Sequence, residues 1–214
     1  MVRHEDVPEE TMQRMLTYLR ELDCMLREGK QTFSSQELAA ALHMNPAQVR
    51  KDFSYFGEFG TRGVGYDTAR LARELREILN LDRTWRIALI GVGNIGSALL
   101  KNPELKRQGF DIVLAFDNSP RVIGKRVGEV VVDDVSRMSE RIQEEKVELA
   151  IIATPVECAQ EIADELIKAG IKGILCFAPC QLHVSDEVRI VPVDIPMALG
   201  RLVYRLEGDG DNGA

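Results

Sequence analysis

The stretch WRIALIGVGNIGSALL, residues 85–100, runs from an unbroken apolar segment through a glycine turn into a helical pattern. A segment apolar at nearly every position fits a strand of a parallel sheet covered on both faces. Gly91, Gly93 and Gly96, with Val92, Asn94 and Ile95 between them, spell GxGxxG directly behind that strand, and Ala98, Leu99 and Leu100 carry on into a helix. In this setting each glycine has a task. The first permits the tight turn, the second lets a pyrophosphate approach the backbone, and the third lets helix and strand close together, while the helix N-terminus offers N–H groups to phosphate oxygens. Asp117 ends the next apolar run, DIVLAFD, 21 residues beyond Gly96. A carboxylate there accepts hydrogen bonds from the adenosine ribose hydroxyls and repels a 2′-phosphate, which predicts NAD or NADH rather than NADP; Arg121 is the nearby cation that could oppose this choice. An isolated GxGxxG also suits a purely structural turn, and it is the strand, helix and acidic residue together that favour the dinucleotide.

Outward from this unit, VELAIIAT (147–154) and KGILCF (172–177) repeat the strand pattern, a helical spacing fills 156–170, and shorter strands are expected near 127–132 and 189–193. The alternation predicts an α/β fold with a Rossmann-type doubly wound parallel sheet. Ligands of such sheets lie beyond the carboxyl ends of the strands where strand order reverses. This places Thr154, Pro155, Ala178 and Pro179 at the nicotinamide end, although the same residues suit ordinary strand-end turns. The last periodic segment, 195–206, aligns Ile195, Leu199, Leu202 and Leu206 in one stripe, and the tail GDGDNGA is too polar and glycine-rich to pack and is expected to be disordered.

The first half reads differently. Over 11–27 Met15, Leu19 and Leu22 recur at helical spacing until Gly29, and a short second helix follows, with Ser34 and Ser35 as cap candidates and Glu37 in its first turn. A third helix over 46–56 has Asn45 at N-cap and Pro46 at N1, where the missing N–H costs nothing. Val49, Phe53 and Phe56 point inward, and the outer face carries the donors Gln48, Arg50, Lys51, Ser54 and Tyr55. Two short helices across a tight turn suggest a helix-turn-helix. In GEFGTRGVGY, Gly57, Gly60, Gly63 and Gly65 bracket Thr61 and Arg62, which suits a glycine-rich hairpin with Arg62 near its tip. Helical spacing returns over 67–81.

The 214 residues are 45% hydrophobic and 29% charged, ordinary for a globular chain, with a net charge of −7. Such a balance excludes a protein that coats nucleic acid through bulk charge, so any contact with DNA has to be local. The first thirty residues lack a signal-like apolar run, and no stretch approaches the roughly 20 apolar residues that span a bilayer; the expectation is a soluble, cytoplasmic protein. Cys24, Cys158, Cys176 and Cys180 lack the spacing of a zinc site or disulfide framework. Cys176 and Cys180 in CFAPC are open to two readings, inert buried thiols or a thiol switch.

QVRKDFSYFGEFGTRGVGY, residues 48–66, closely resembles the signature of the Rex family of bacterial redox-sensing transcriptional repressors, and GVGNIG and AFD follow where that family has them. The resemblance covers nearly the whole chain. It implies a homodimer of two-domain subunits: a winged-helix DNA-binding domain (1–83) and a Rossmann NAD(H)-binding domain (84–207) whose final helix is exchanged between subunits, followed by the tail (208–214). It implies a repressor held on palindromic operator DNA and released when NADH binds, so that the NADH/NAD ratio is sensed. Arg50, Lys51, Ser54 and Tyr55, with Gln48, would meet the major groove and its flanking phosphates. Arg62, with Thr61 and Gly63, would enter the minor groove, where a guanidinium finds enhanced negative potential. Arg50 and Lys51 also suit a solvated face or pairing with Asp52 or Glu58, and the last helix also suits packing on its own sheet. Arg20 on the first helix and Asp194, a cap candidate before the last, could pair between domains.

The sequence leaves two other readings open. A small NAD-dependent oxidoreductase with a DNA-binding appendage needs a positioned acid/base and a substrate domain, yet the histidines are His4, His43 and His183 and no substrate domain remains. No catalytic residue and no metal ligand is therefore assigned, and an enzyme is not expected. The other is a nucleotide- or CoA-binding module whose helix-turn-helix serves protein contacts.

Overall fold

Helix ends in the first half follow their local signals. A computed structural model describes residues 7–57, 59, 60 and 65–208. Helix α1 (Glu9–Arg27) is followed by Gly29 at φ +78°. Ser34 and Glu37 form a reciprocal capping box on α2 (Ser35–Ala41), Asn45 accepts the Ala47 N–H ahead of α3 (Pro46–Ser54), and Asp67 accepts the Arg70 N–H ahead of α4 (Thr68–Ile78). Each cap satisfies a first-turn donor that has no partner inside its own helix. Met15, Tyr18, Leu22, Leu38, Val49, Phe53, Leu71 and Leu75 close the core between these helices.

A pairing absent from the sequence reading completes this unit. Thr32–Phe33 (β1) pairs antiparallel with Tyr66–Asp67 (β2), so the chain leaving the glycine-rich segment returns to the strand before α2. Tyr66 stacks on Phe33 at 5.3 Å and meets Phe53 of α3 edge-on at 5.3 Å, which ties that strand to the third helix. Of the expected hairpin, Glu58, Thr61, Arg62, Gly63 and Val64 lie outside the described residues. The third helix ends at Ser54, two residues short of its expected end.

The chain divides after Arg83 into a second unit built on a seven-stranded sheet. In chain order the strands are β3 (Trp85–Ile90), β4 (Phe110–Asp117), β5 (Arg126–Val127), β6 (Val130–Asp134), β7 (Leu149–Ile152), β8 (Gly173–Cys176) and β9 (Arg189–Pro192). They lie in the order β5-β6-β4-β3-β7-β8-β9, and all pairs are parallel except β5 with β6. The six parallel strands thus have the doubly wound order, reversing between β3 and β7. The single strand expected near 127–132 is instead a hairpin turned at Gly128, which has φ +61°.

Helix α5 (Asn94–Leu100) packs Leu99 and Leu100 on one face with Ile87, Leu89 and Ile151, and α6 (Pro103–Arg107) leads into β4. Helices α7 (Met138–Glu145) and α8 (Val156–Lys168) cover the other face through Met138, Ile142, Ala159, Ala163 and Leu166 against Ile90, Phe116, Ile152 and Cys176. The last helix, α9 (Ile195–Gly208), runs beyond the expected end at Leu206 and takes in the first residue assigned to the tail; residues 209–214 lie outside the described residues. Its apolar stripe does not pack on its own sheet: Ile195, Leu199, Leu202 and Leu206 are 54–69% exposed. No described helix is long and apolar enough to cross a membrane.

Candidate dinucleotide crevice and recognition helix

Gly91 leaves β3 at φ +95°, and a Cβ there would stand 2.7 Å from the Ala153 carbonyl oxygen at the end of β7. The turn therefore sits on the pair of strands where sheet order reverses. Gly96 faces back onto it, its Cβ position only 2.0 Å from the Gly91 carbonyl oxygen, so α5 lies closer to β3 than any side chain permits. Gly93 is different. It has an ordinary φ of −76°, and a Cβ would meet nothing within 4 Å. The close contacts within the chain require Gly91 and Gly96, whereas the bare backbone at Gly93, N-cap of α5, faces open space.

Asp117 closes β4 beside this turn. One carboxylate oxygen accepts the Val92 N–H at 2.7 Å and the other the Ser119 N–H at 2.8 Å, so the side chain is locked across the two strand ends with a lone pair left on each oxygen. Across the reversal, Thr154 sets its hydroxyl out of reach of solvent with no hydrogen-bond partner among the described residues. Its Cγ2 lies 2.9 Å from the Gly91 Cβ position. A buried hydroxyl without a partner costs about 1–3 kcal/mol, an imbalance that a polar ligand atom at the same place would correct. Pro155 caps α8, Ala178 is buried at the end of β8 and Pro179 is exposed beside it. Asn94 and Ile95 open α5, with Ile95 42% exposed. Glycine backbone, carboxylate, orphan hydroxyl and helix N-terminus together fit a dinucleotide. Concavity alone points elsewhere: hollows of about 500 and 560 Å³ flank Asp111 and Ile112, at the opposite end of β4.

In the first unit, α3 carries Arg50, Lys51 and Ser54 exposed and Tyr55 half-buried at its end. Arg50 donates to the Ser35 hydroxyl at 3.1 Å, and the Ser54 hydroxyl donates to the Lys51 carbonyl at 2.7 Å. Gln48 is turned differently from the outward direction read in the sequence, its amide donating to Asp52 at 2.8 Å. Asp52, fully buried, also receives Arg14 at 2.6 and 2.7 Å and the Tyr18 hydroxyl at 2.7 Å. Burial alone would push the Asp52 carboxyl up, but the hydrogen bonds from Arg14, Tyr18 and Gln48 outweigh it and its pKa lies below the ordinary value. This removes Asp52 as a partner for Arg50 or Lys51, and its charge is neutralised beneath the helix rather than shown beside them. Sequence reading missed Arg14 and Tyr18 entirely. Arg20 is exposed on α1, and Asp194 accepts the Met197 N–H at 2.7 Å as the cap of α9.

A helix-turn-helix unit and a doubly wound dinucleotide-type unit in one chain define a DNA-binding regulator with a nucleotide-sensing half. Residues 82–180 match the family described as "CoA binding domain", and residues 6–54 the family described as "Putative DNA-binding protein N-terminus". Over nearly its full length the chain is 43% identical to the redox-sensing transcriptional repressor Rex of Carboxydothermus hydrogenoformans, covering 95% of this chain and 98% of that one. It is 42% identical to Rex 1 of Thermotoga maritima, covering 94% and 97%. Among solved structures it is similar to RSP in complex with beta-NAD+ and operator DNA, with a TM-score of 0.90 at 33% identity over 97% of this chain and 99% of that one. It is also similar to RSP in complex with beta-NADH, with a TM-score of 0.86 at 32% identity over 95% and 96%. The chain belongs to the Rex family of redox-sensing transcriptional repressors. These full-length relatives are repressors, not enzymes, so the oxidoreductase reading falls away.

Proposed function

We propose that this chain represses transcription as a homodimer on a palindromic operator and leaves DNA when NADH occupies the crevice at the end of β3. The observation that carries the reading is the likeness, over almost the entire chain, to a repressor captured with beta-NAD+ and operator DNA. Gly91, Val92, Gly93, Asn94, Ile95 and Gly96 would hold the pyrophosphate through backbone N–H groups, and Asp117 would accept the adenosine ribose hydroxyls on its remaining lone pairs. Thr154, Pro155, Ala178 and Pro179 would border the nicotinamide end. Bound dinucleotide would supply the redox signal through the charge and shape of its ring.

Arg50, Lys51, Ser54 and Tyr55 would face the major groove, and Thr61, Arg62 and Gly63 the minor groove. Gln48 would act from below, steadying Asp52. The uncovered stripe of α9 and the open sheet face at Leu149, Leu175, Phe177 and Val191, the last 59% exposed, support exchange of α9 between two copies. Arg20 and Asp194 would pair in one arrangement of the dimer, since capping α9 needs only one oxygen of Asp194. A DNA repressor of this kind would act in the cytoplasm.

Repression is lifted only if NADH favours one arrangement of the dimer over the other, a coupling typically of ~1–3 kcal/mol, and operator DNA then weakens NADH binding by the same factor. The test is operator affinity at fixed salt, titrated with NADH, NAD and coenzyme A. Release by NADH at concentrations where the other two leave the complex intact supports the reading; equal responses to NADH and NAD refute redox sensing, and release by coenzyme A alone assigns the crevice to that ligand.

A further inference from the structure

Cys176 ends β8 with its side chain 1% exposed in the core under α8, and Cys180, four residues on, is half-buried against the same core. One carbonyl gathers both residues: the Ala178 oxygen accepts the Cys176 thiol at 3.7 Å and the Cys180 N–H at 2.8 Å. The turn of Phe177, Ala178 and Pro179 is thereby folded back, with Cys176 inside the core and Cys180 packed against it. The remaining cysteines stand apart, Cys158 exposed on α8 and Cys24 on α1, where it accepts a hydrogen bond from Arg27. Among the described residues no group of three or more His, Cys, Asp and Glu is placed to hold a metal, so the pair is not part of such a site.

We propose that Cys176 and Cys180 are a peroxide-reactive dithiol that closes into an intramolecular disulfide at the end of β8. Cys180, the more exposed, reacts first: its thiol gives up a proton, the thiolate sulfur attacks a peroxide oxygen, the O–O bond breaks, the departing hydroxide takes up that proton and leaves as water, and a sulfenic acid forms. The Cys176 sulfur then attacks the Cys180 sulfur, the S–O bond breaks and a second water leaves carrying the Cys176 proton. Two thiols lose two electrons in all, and the peroxide gains them. Cys176, packed in the core, is shielded from peroxide and suited to resolve rather than initiate.

The consequence for the dinucleotide rests on the reading of the crevice given above. The disulfide clamps Phe177, Ala178 and Pro179, and the oxidised protein then differs from the reduced one in NADH affinity by about fivefold or more. The experiment treats the full-length protein with hydrogen peroxide, alkylates the remaining thiols and maps the peptides by mass spectrometry. The expected product is a Cys176–Cys180 disulfide reversed by dithiothreitol, formed equally in Cys158→Ala. Cys176→Ser should leave Cys180 as a sulfenic acid trapped by dimedone, and Cys180→Ser should leave Cys176 unreacted. Recovery of Cys176 and Cys180 as alkylated free thiols while Cys158 or Cys24 is oxidised overturns the proposal. A disulfide that leaves NADH affinity unchanged overturns its regulatory half, whereas reduced protein that binds no NADH overturns the function proposed above and leaves the mapped disulfide standing.

Discussion

Arg14 of α1 and Asp52 of α3 meet in a two-point ion pair, at 2.6 and 2.7 Å, that joins the first helix to the third from beneath. Asp52 has no exposure, and the Arg14 side chain keeps 27%. Removing one partner of a buried pair leaves a charge without compensation, which typically costs 3–5 kcal/mol. Arg14→Ala should therefore destabilise the protein by about 3 kcal/mol in urea denaturation and weaken operator binding, while NADH affinity stays unchanged. Unaltered operator affinity in a protein that has lost this stability would show that the pair holds the fold without orienting α3.

The same pair fixes an acid limit. Because the folded pKa of Asp52 lies below the ordinary carboxylate value, its contribution to stability is complete above the unfolded value of about 4 and is lost as pH falls through the folded one. Glu37, brought to about 2 by Lys30 and the Ser34 N–H, acts in the same direction. Stability arising from these two groups should be flat from pH 7 to about 5 and decline below about 4. Asp52→Asn should be less stable at neutral pH and less sensitive to acid, and parallel curves for the two proteins would remove Asp52 from the account.

The three glycines of the turn should separate fold from ligand. In Gly96→Ala the new methyl would lie 2.0 Å from a carbonyl oxygen, so that chain should fold poorly or not at all. Gly93→Ala introduces no clash and needs no unusual φ, so its stability should stay within about 1 kcal/mol of the parent while NADH binding weakens. Thermal denaturation with and without NADH reads both effects; equal NADH affinity in Gly93→Ala would mean that the phosphates do not approach there.

Much of this was legible in the sequence because its signals are local. Ser34 with Glu37, Asn45 before Pro46, and the apolar runs of β3, β4, β7 and β8 each declare themselves within a few residues. The hairpin β5-β6 was not, since the turn at Gly128 interrupts an otherwise continuous strand-like pattern. Nor was the role of Asp52: its partner Arg14 lies 38 residues away, and an ion pair between helices leaves no periodic trace. Helical spacing puts Gln48 on the outer face of α3, yet four residues on lies Asp52, and the amide donates to it. In the crevice, the glycines and Asp117 could be named from their motif, but the orphan hydroxyl of Thr154 became visible only once β7 lay beside β3.

Asp117 spans two strand ends through the Val92 and Ser119 N–H groups, so Asp117→Ala removes an anchor of the turn together with the ribose acceptor. Hydrogen bonds to a charged group contribute roughly 1.5–3 kcal/mol, which corresponds to a loss of at least about tenfold in NADH affinity. Operator binding without NADH should be preserved, and release should demand correspondingly more NADH. Unimpaired NADH binding would take Asp117 out of the site.

The stripe on α9 tests assembly. Leu199 and Leu202 are 56% and 55% exposed within one chain, and Met197, Val203 and Tyr204 beside them are also exposed. Covering a large apolar side chain contributes up to roughly 1.5–3 kcal/mol, so burying this stripe against a second copy would stabilise the proposed assembly. Leu199→Asp combined with Leu202→Asp should convert the dimer to a monomer in sedimentation equilibrium while circular dichroism stays close to that of the parent. Operator affinity should then fall steeply, because a palindrome is gripped by two recognition helices at fixed spacing and one subunit reaches only half of it. A variant that remains dimeric would place the subunit contact elsewhere on the sheet and leave α9 without a role in it.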